Sequence, residues 1–214
     1  MKPLLILRPE PGNKATAARA RAMGLEAVQC PLFTIEPVAW TATDATAFDN
    51  LLITSSNAFR HGGAELAQLT RLDVLAVGAA TADAARKVGF RVAMTGEAGV
   101  DALLAALPGE RRLLHLAGAD HVQPATRHCI ERIVVYRSVP AEASIPTGQH
   151  VALVHSARAG ARLAEVAPQR AAIAIAAISP AAAAACGTGW VALQAADRPD
   201  DIALLVLAAR LWQD

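Results

Sequence analysis

The chain is poor in cysteine and aromatic residues, and its positive and negative charges nearly cancel. Its three cysteines, Cys30, Cys129 and Cys186, are widely spaced and form no CxxC pair. We therefore expect neither a disulfide framework nor a zinc knuckle. The chain contains 20 Lys and Arg residues and 19 Asp and Glu residues, which gives a net charge of +1. This balance provides no overall attraction to nucleic acid or to an anionic membrane surface.

The sequence also lacks a strongly apolar segment long enough to span a membrane, although its mean hydropathy is +0.32. The most apolar window, Ala171–Cys186, is mostly alanine and is interrupted by Ser179-Pro180. A spanning helix needs about 20 consecutive apolar residues. The N-terminal run Leu4–Leu7 is too short for the core of a signal peptide, and Arg8 follows it directly. We therefore expect a cytoplasmic protein that binds no membrane.

The motifs of common cofactor and nucleophile sites are missing as well. No GxGxxG follows a predicted strand, and the chain contains neither GxxxxGK[ST] nor GxSxG. His115, His121 and His128, together with Cys129, fit no familiar metal-ligand spacing. We interpret these histidines as surface or hydrogen-bonded residues and expect no bound metal.

Short apolar runs alternate with alanine-rich stretches along the whole chain. This alternation is typical of parallel sheets covered by helices on both faces, so we predict an α/β fold. We take Asn13 as the N-cap of the first helix and Gly24 as its end. The predicted strands are Leu4–Leu7, Ala27–Cys30, Phe33–Trp40, Asn50–Thr54, Val74–Val77, Arg91–Met94, Leu113–Leu116, Ile133–Val139, Val151–Val154, Ile173–Ile178 and Val191–Leu193. The predicted helices are Lys14–Met23, Asn57–Leu69, Ala80–Val88, Val100–Leu107, Ala157–Val166, Pro180–Cys186 and Pro199–Leu211.

The chain resembles itself at an offset of about 100 residues. Leu51–Ser55 is similar to Val151–Ser156, and Asp101–Leu104 is similar to Asp201–Leu204. We predict two copies of one α/β unit, in which the first strand of the chain supplies the last strand of the second copy. Residues 1–35 and 141–214 then form one discontinuous domain, and residues 42–130 form a second domain inserted into it. Residues 33–41 and 131–140 are predicted to pair as a two-stranded ladder, with a cleft between the domains.

The turns that follow the predicted strands are rich in small hydroxyl residues. They are Thr54-Ser55-Ser56-Asn57, Gly78-Ala79-Ala80-Thr81, Ser156 and Ser179-Pro180. Ligands of parallel sheets bind at this edge, and a helix N-terminus attracts carboxylate or phosphate groups. Taken singly, each hydroxyl is better explained as an ordinary N-cap. Together the four turns favour an anionic ligand, and Arg8, directly after the first strand, is expected at the same edge or in a surface ion pair.

Tyr136 is the only tyrosine, and it lies in one of the two predicted crossings between the domains. It is either a packing residue of the ladder or a phenolic donor that faces a ligand. Asp200 and Asp201 follow Pro199 in the first turn of a predicted helix. There they suit the helix dipole, so we assign them no catalytic role.

Several stretches, in their order and spacing, resemble uroporphyrinogen-III synthases nearly from end to end. They are Leu5–Pro9, Gly24–Val28, Pro31–Phe33, Leu52–Ala58, Val77–Ala82 and Val135–Pro140. The last three are similar to the family patterns T-S-x-N-A-V, G-x-x-T-A and V-Y-x-x-x-P. The resemblance implies two α/β domains, one of them discontinuous, joined by a two-stranded ladder. It also implies a monomeric enzyme without cofactor or metal that cyclises hydroxymethylbilane, a linear tetrapyrrole polycarboxylate, with loss of water and inversion of ring D.

The resemblance also suggests roles for single residues. Tyr136 matches the family tyrosine proposed to help the substrate hydroxyl leave, and a phenol carries its proton at neutral pH. Ser55, Asn57, Thr81 and Ser156 match family positions that line the cleft. The stretch Ser179-Pro180-Ala181-Ala182 lacks the threonine that family members often have, so backbone amides must replace its side-chain donor.

We therefore predict Tyr136 as the catalytic residue. The predicted substrate-binding residues are Arg8, Thr54, Ser55, Ser56, Asn57, Gly78, Thr81, Gly118, Ser156 and Ser179. Two alternatives remain at this stage. A non-catalytic two-lobed protein that binds or senses a polycarboxylate needs the same turns but not Tyr136. A diverged nicotinamide dehydrogenase is disfavoured by the missing glycine-rich fingerprint.

Overall fold

The computed structural model describes residues 2–121 and 123–213, so Met1 and Asp214, the outermost residues of the predicted domains, lie outside the described residues. The chain divides into two compact units. Unit 1 comprises Met1–Thr34 and Val139–Asp214, and unit 2 is the continuous segment Ile35–Ser138. Strands β3 and β8, defined below, carry the chain from one unit to the other.

Both units are built from strands and helices that alternate along the chain. The strands are β1 (Leu4–Ile6), β2 (Ala27–Gln29), β3 (Phe33–Pro37), β4 (Asn50–Ile53), β5 (Asp73–Val77), β6 (Val92–Gly96), β7 (Arg112–Gly118), β8 (Cys129–Pro140), β9 (His150–Val154), β10 (Ile173–Ala177) and β11 (Ala192–Ala195). The helices are α1 (Gly12–Ala22), α2 (Asn57–His61), α3 (Ala79–Lys87), α4 (Val100–Ala105), α5 (Ala157–Val166), α6 (Pro180–Ala185) and α7 (Asp201–Gln213). Short 3₁₀ turns lie at Ala45–Ala47, Ala64–Leu69 and Arg170–Ala172. The α/β fold predicted from the sequence is confirmed.

Unit 1 contains a five-stranded sheet in the order β11-β10-β9-β1-β2, and its neighbouring strands are parallel. Its strands are apolar on both faces because helices cover both sides. Leu5 of β1 packs in a core with α5 and α6, whereas Leu4 and Ile6 pack in a second core with α1 and α7. All three side chains are fully buried.

Unit 2 contains a six-stranded sheet in the order β3-β8-β7-β4-β5-β6, in which the strands from β8 to β6 are parallel. Leu51 and Ile53 of β4 face a core with α2 and α3, and Leu52 faces a core with α4. Strands β3 and β8 are neighbours that extend this sheet.

The predicted internal repeat is visible in the pairing of the strands. Leu52 of β4 pairs with His115 of β7, and Leu153 of β9 pairs with Ile6 of β1. Strand β1 therefore occupies beside β9 the place that β7 occupies beside β4. The prediction that the first strand of the chain completes the second copy is confirmed.

Three local predictions were wrong. The helix predicted over Asn57–Leu69 is split, because Gly63 adopts a φ of +72° and the chain continues as a 3₁₀ turn. Strand β8 begins at Cys129, four residues before the predicted strand Ile133–Val139 and two residues before the predicted ladder segment 131–140. Asn13 is not an N-cap: it lies inside α1, and its side-chain amide donates to the carbonyl oxygens of Ile6 and Arg8, each at 2.8 Å.

Among the described residues, no helix combines the length and the apolar character that crossing a membrane requires.

Candidate functional site

Tyr136 lies on β8 at a bulge. Ala117 of β7 pairs with Val134, whereas the next residue, Gly118, pairs with Tyr136. Val135 is therefore the extra residue, and its side chain is fully buried. Bulges of this kind redirect side chains and are frequent beside active sites. The phenol of Tyr136 is half-buried and lies against Gly118.

His61, the last residue of α2, is the aromatic neighbour of Tyr136. Their ring centroids are 6.4 Å apart, and the ring planes are tilted by 39°. Burial lowers the pKa of His61, and the positive charge of Arg60 lowers it further. The imidazole is therefore neutral at neutral pH, and it can accept or donate a hydrogen bond near the phenol.

A buried histidine lies in the middle of β7, beside the end of β4. His115 is only 2% exposed, and its Nε2 lies 3.2 Å from the hydroxyl of Thr54. The guanidinium of Arg132 donates to Nδ1 of His115 at 3.4 Å and to Gln123 at 2.9 Å. Burial, with smaller contributions from the charges of Arg132 and His121, lowers the pKa of His115 to about 4. Thr54, a predicted substrate-binding residue, is thus held by a neutral imidazole.

The turn after β4 forms local hydrogen bonds. The hydroxyl of Ser55 accepts from the backbone N–H of Asn57 at 3.2 Å. The hydroxyl of Ser56 accepts from Arg60 at 2.7 Å and makes no cap bond to the helix backbone. Ser55, Ser56 and Asn57 therefore lie together at the carboxyl edge of unit 2, next to Thr54.

The turn after β5 differs from the prediction. Gly78 is the N-cap of α3 with a φ of +84°, so no hydroxyl caps this helix. The N–H of Gly78 donates to the carbonyl of Gly96 at 2.8 Å and is therefore already bonded. Thr81 is only 5% exposed. Thr81 is therefore a buried residue of the first turn of α3.

Ser156 and Ser179 of unit 1 are side-chain N-caps. The hydroxyl of Ser156 accepts from the N–H of Ala159 at 3.1 Å, and that of Ser179 accepts from the N–H of Ala182 at 3.3 Å. For these two residues the ordinary capping role is confirmed. The N-cap residues of α2 and α3, Ser56 and Gly78, make no side-chain cap bond, so the expected pattern of four hydroxyl N-caps is found only in unit 1.

Arg8 belongs to a polar cluster in unit 1 whose centre is Asp201. The Asp201 carboxylate accepts from the hydroxyl of Thr16 at 2.9 Å, from Arg19 at 2.6 Å and from Nε2 of His155 at 2.9 Å. The Arg8 guanidinium lies 3.5 Å from the same carboxylate. Burial raises the pKa of Asp201, but the hydrogen bonds from the imidazole, the hydroxyl and the guanidinium outweigh it and hold the pKa well below its usual range.

This cluster was not predicted from the sequence. Asp200 lies at the helix start, as predicted for both aspartates, and its carboxylate accepts from the N–H of Ala203 at 2.8 Å. Asp201 instead contacts Thr16 and Arg19, which lie one turn apart on α1. Their spacing at i and i+3 was the available signal. The pairing could not be predicted because Thr16 and Asp201 are separated by 185 positions along the chain.

The predicted site residues thus fall into two sets. Each set lies at the carboxyl ends of adjacent parallel strands, where α/β sheets bind ligands. In unit 2 they are Thr54, Ser55, Ser56, Asn57, Gly78, Thr81, Gly118 and Tyr136. In unit 1 they are Arg8, Ser156 and Ser179. Within the described parts of the chain, no group of three or more His, Cys, Asp or Glu side chains is arranged to hold a metal ion.

Comparison with solved structures shows the same fold in two bacterial proteins. A uroporphyrinogen-III synthetase from Helicobacter pylori is 17% identical, with a TM-score of 0.69 over 99% of this chain and 100% of that chain. A mutant uroporphyrinogen III synthase from the extremely thermophilic bacterium Thermus thermophilus is also 17% identical, with a TM-score of 0.52 over 100% of both chains. No curated protein sequence matches this chain.

The family comparison covers most of the sequence. The sequence model of the family described as uroporphyrinogen-III synthase HemD matches residues 14–205. This range contains both described sheets except β1, and it includes Tyr136 and the turns after β4, β5, β9 and β10. The chain belongs to the uroporphyrinogen-III synthase family.

Proposed function

We propose that the loss of water from the substrate takes place at the carboxyl edge of the sheet in unit 2, and that Tyr136 donates the proton for this step. The reaction itself follows from the family: the chain is a hydro-lyase that cyclises hydroxymethylbilane to uroporphyrinogen III, with inversion of ring D, in heme biosynthesis. A non-catalytic binding protein is not favoured by this membership. The roles of the single residues are our proposal.

The observation that carries the proposal is the placement of the only tyrosine of the chain. Tyr136 lies half-buried at a bulge, beside the neutral imidazole of His61. In the first step the phenol donates its proton to the terminal hydroxyl oxygen of the substrate. The carbon–oxygen bond then breaks, and its electron pair leaves with the water. The proton released from the pyrrole when the ring closes returns to the phenolate, so the enzyme is unchanged.

Loss of water leaves the substrate as a cation, and the remaining polar groups are proposed to hold the substrate in this state. A substrate held in position closes its ring as an intramolecular reaction, and exclusion of bulk water protects the cation. In unit 2, Ser55 and Asn57 lie at the start of α2 and Arg60 lies one turn later. Unit 1 has a candidate carboxylate-binding element of its own, because the N-terminus of α5 behind Ser156 offers backbone amides.

We further propose a monomeric cytoplasmic enzyme. Cys30, Cys129 and Cys186 are all free thiols, as is usual in a reducing compartment. Sedimentation velocity of the purified chain tests the monomeric state.

The decisive experiment incubates the protein with hydroxymethylbilane and separates the type I and type III products. Spontaneous closure gives type I, so the wild-type chain is expected to give type III above background. Tyr136→Phe should slow turnover by about 10²-fold, the low end for loss of a general acid. Its product should shift toward type I, because slow enzymic closure then competes with spontaneous closure.

The matched control is Thr70→Val, which removes a hydroxyl that donates to Ala67 on the surface of the same unit. It should retain the wild-type rate and isomer ratio. Thermal unfolding of both variants must stay cooperative. A Tyr136→Phe variant with the wild-type rate and ratio would reduce Tyr136 to a packing residue and refute its proposed role.

A further inference from the structure

We propose that Gly118 is a positioning residue for Tyr136: the missing side chain at position 118 leaves the space in which the phenol ring lies. The inference rests on the proposed function of Tyr136. It replaces a direct substrate contact, the role predicted for Gly118 from the sequence, with an indirect one. A β-carbon added to Gly118 would lie 2.5 Å from Cε2, 2.7 Å from Cζ and 2.9 Å from the hydroxyl oxygen of Tyr136.

Position 118 is glycine because a side chain there would overlap the ring of Tyr136. Gly118 is not among the described glycines with a positive φ, so its backbone conformation is open to alanine. The atoms that a new methyl group would meet first all belong to the outer half of the Tyr136 ring. Alanine is therefore acceptable to the backbone and conflicts with the phenol.

The backbone around Gly118 is held on two sides. The N–H of Ala119 donates to the carbonyl of Tyr136 at 2.9 Å. The carbonyl of Gly118 accepts from Nδ1 of His121 at 3.0 Å. Gly118 is itself buried and paired with Tyr136 across β7 and β8. Because the ring turns about single bonds and the paired backbone does not, an added methyl group displaces the ring.

The displacement is large enough to affect the reaction. Carbon atoms pack at about 3.5–4.0 Å, so the ring edge must move by about 1 Å to make room. A shift of about 1 Å in a catalytic group can cost about 10²-fold in rate. Glycine at position 118 thus places the phenol oxygen at the position from which it can donate to the leaving hydroxyl.

The test replaces Gly118 by alanine and observes the tyrosine directly. Because Tyr136 is the only tyrosine, biosynthetic 3-fluorotyrosine gives a protein with a single labelled side chain, whose ¹⁹F signal reports on that ring. Gly118→Ala should shift this signal in the folded protein. It should also reduce type III formation by about 10- to 100-fold and raise the share of type I.

Two further variants separate a positioning role from a substrate contact. If Gly118 acts through the phenol, the double variant Gly118→Ala with Tyr136→Phe should be no slower than Tyr136→Phe alone, within about twofold. Gly118→Ala should lower the melting temperature of the wild-type chain but not that of Tyr136→Leu, since leucine lacks the ring atoms that the methyl group meets. The second comparison decides the question even if Gly118→Ala alone folds poorly.

The control is Gly109→Ala, in a loop of the same unit. Gly109 has a φ of +64° and no atom near the site of an added β-carbon, so alanine there adds backbone strain away from Tyr136. This variant should lose thermal stability and retain the wild-type ¹⁹F signal and isomer ratio.

Three results would overturn the inference: an unmoved ¹⁹F signal in folded Gly118→Ala, a moved signal with the wild-type isomer ratio, or a double variant much slower than Tyr136→Phe. Failure of the proposed function has a different signature. In that case Tyr136→Phe retains the wild-type rate and isomer ratio, while the ¹⁹F signal still reports whether Gly118 sets the position of the ring.

Discussion

His115 makes the stability of unit 2 depend on pH. Its pKa is lowered to about 4 in the folded chain, chiefly by burial, against about 6.5 for an exposed histidine. Between these two values the unfolded chain binds a proton that the folded chain does not bind. The free energy of unfolding therefore rises with pH across this window, and the contribution is complete above pH 6.5.

The lowered pKa of His115 predicts that acidification destabilises the folded chain. Acidification from pH 6.5 to 4 should remove up to about 3 kcal/mol of stability through His115 alone. His115→Gln retains an amide that can bond to the hydroxyl of Thr54 and removes the titrating group. Urea unfolding followed by circular dichroism should give a shallower slope for the variant over this range and parallel curves above pH 7. Equal slopes for both proteins would contradict the assignment.

The residues whose roles were predicted correctly are those with local partners. Ser156 and Ser179 bond to amides three residues further along the chain, so sequence alone predicts them as caps. The roles of Asp201 and Gly118 depend on residues of distant segments. Gly118 needs the register of β7 against β8, with its bulge, before its closeness to Tyr136 can be recognised. No spacing within the sequence indicates that contact.

Strands were easier to predict than helix boundaries. Strands β9 and β10 are buried along their whole length, and each contains an unbroken apolar run, Val151–Val154 in β9 and Ile173–Ala177 in β10. The predicted strand Ile133–Val139 began only after the charged residues Glu131 and Arg132, although both lay in the predicted ladder, and β8 itself begins at Cys129. The guanidinium of Arg132 reaches His115 and Gln123, which explains how a charged residue is accommodated there.

Helices α5 and α6 approach closely at Gly160. A β-carbon on Gly160 would lie 2.8 Å from the carbonyl oxygen of Ala182 and 2.9 Å from Sγ of Cys186. Glycine in a helix normally costs about 1 kcal/mol relative to alanine. Here the clash with the neighbouring backbone outweighs this gain, so α5 can pack against α6 only with glycine.

We therefore expect Gly160→Ala to destabilise the chain by about 1–3 kcal/mol, as is typical for overpacking, instead of stabilising it. The control, Ala161→Ser, alters an exposed position of the same helix and should stay within about 0.5 kcal/mol of the wild type. Thermal unfolding measures both variants. A more stable Gly160→Ala variant would mean that α5 and α6 separate readily and that the close approach is not needed.

The two units have separate cores, although unit 1 is assembled from both ends of the chain. Its two apolar cores contain side chains only from residues 4–33 and 145–211, within its own two segments. Within the described part of the segment 35–138, no residue contributes a buried side chain to either core. Unit 1 therefore has hydrophobic cores of its own, which is the usual requirement for a domain that can fold independently.

The last prediction is that unit 1 folds after unit 2 is removed. The N–H of Ala141 donates to the carbonyl of Leu32 at 3.0 Å, so the two cut ends are already close. Joining Thr34 to Val139 through a short Gly-Ser linker should give a protein with cooperative thermal unfolding and dispersed amide NMR signals. It should have no synthase activity, because Tyr136 is absent. Leu5→Asp in the same protein places a charge in a core and should abolish folding. A disordered joined chain would mean that the sheet of unit 1 depends on the inserted segment for its stability, despite having a core of its own.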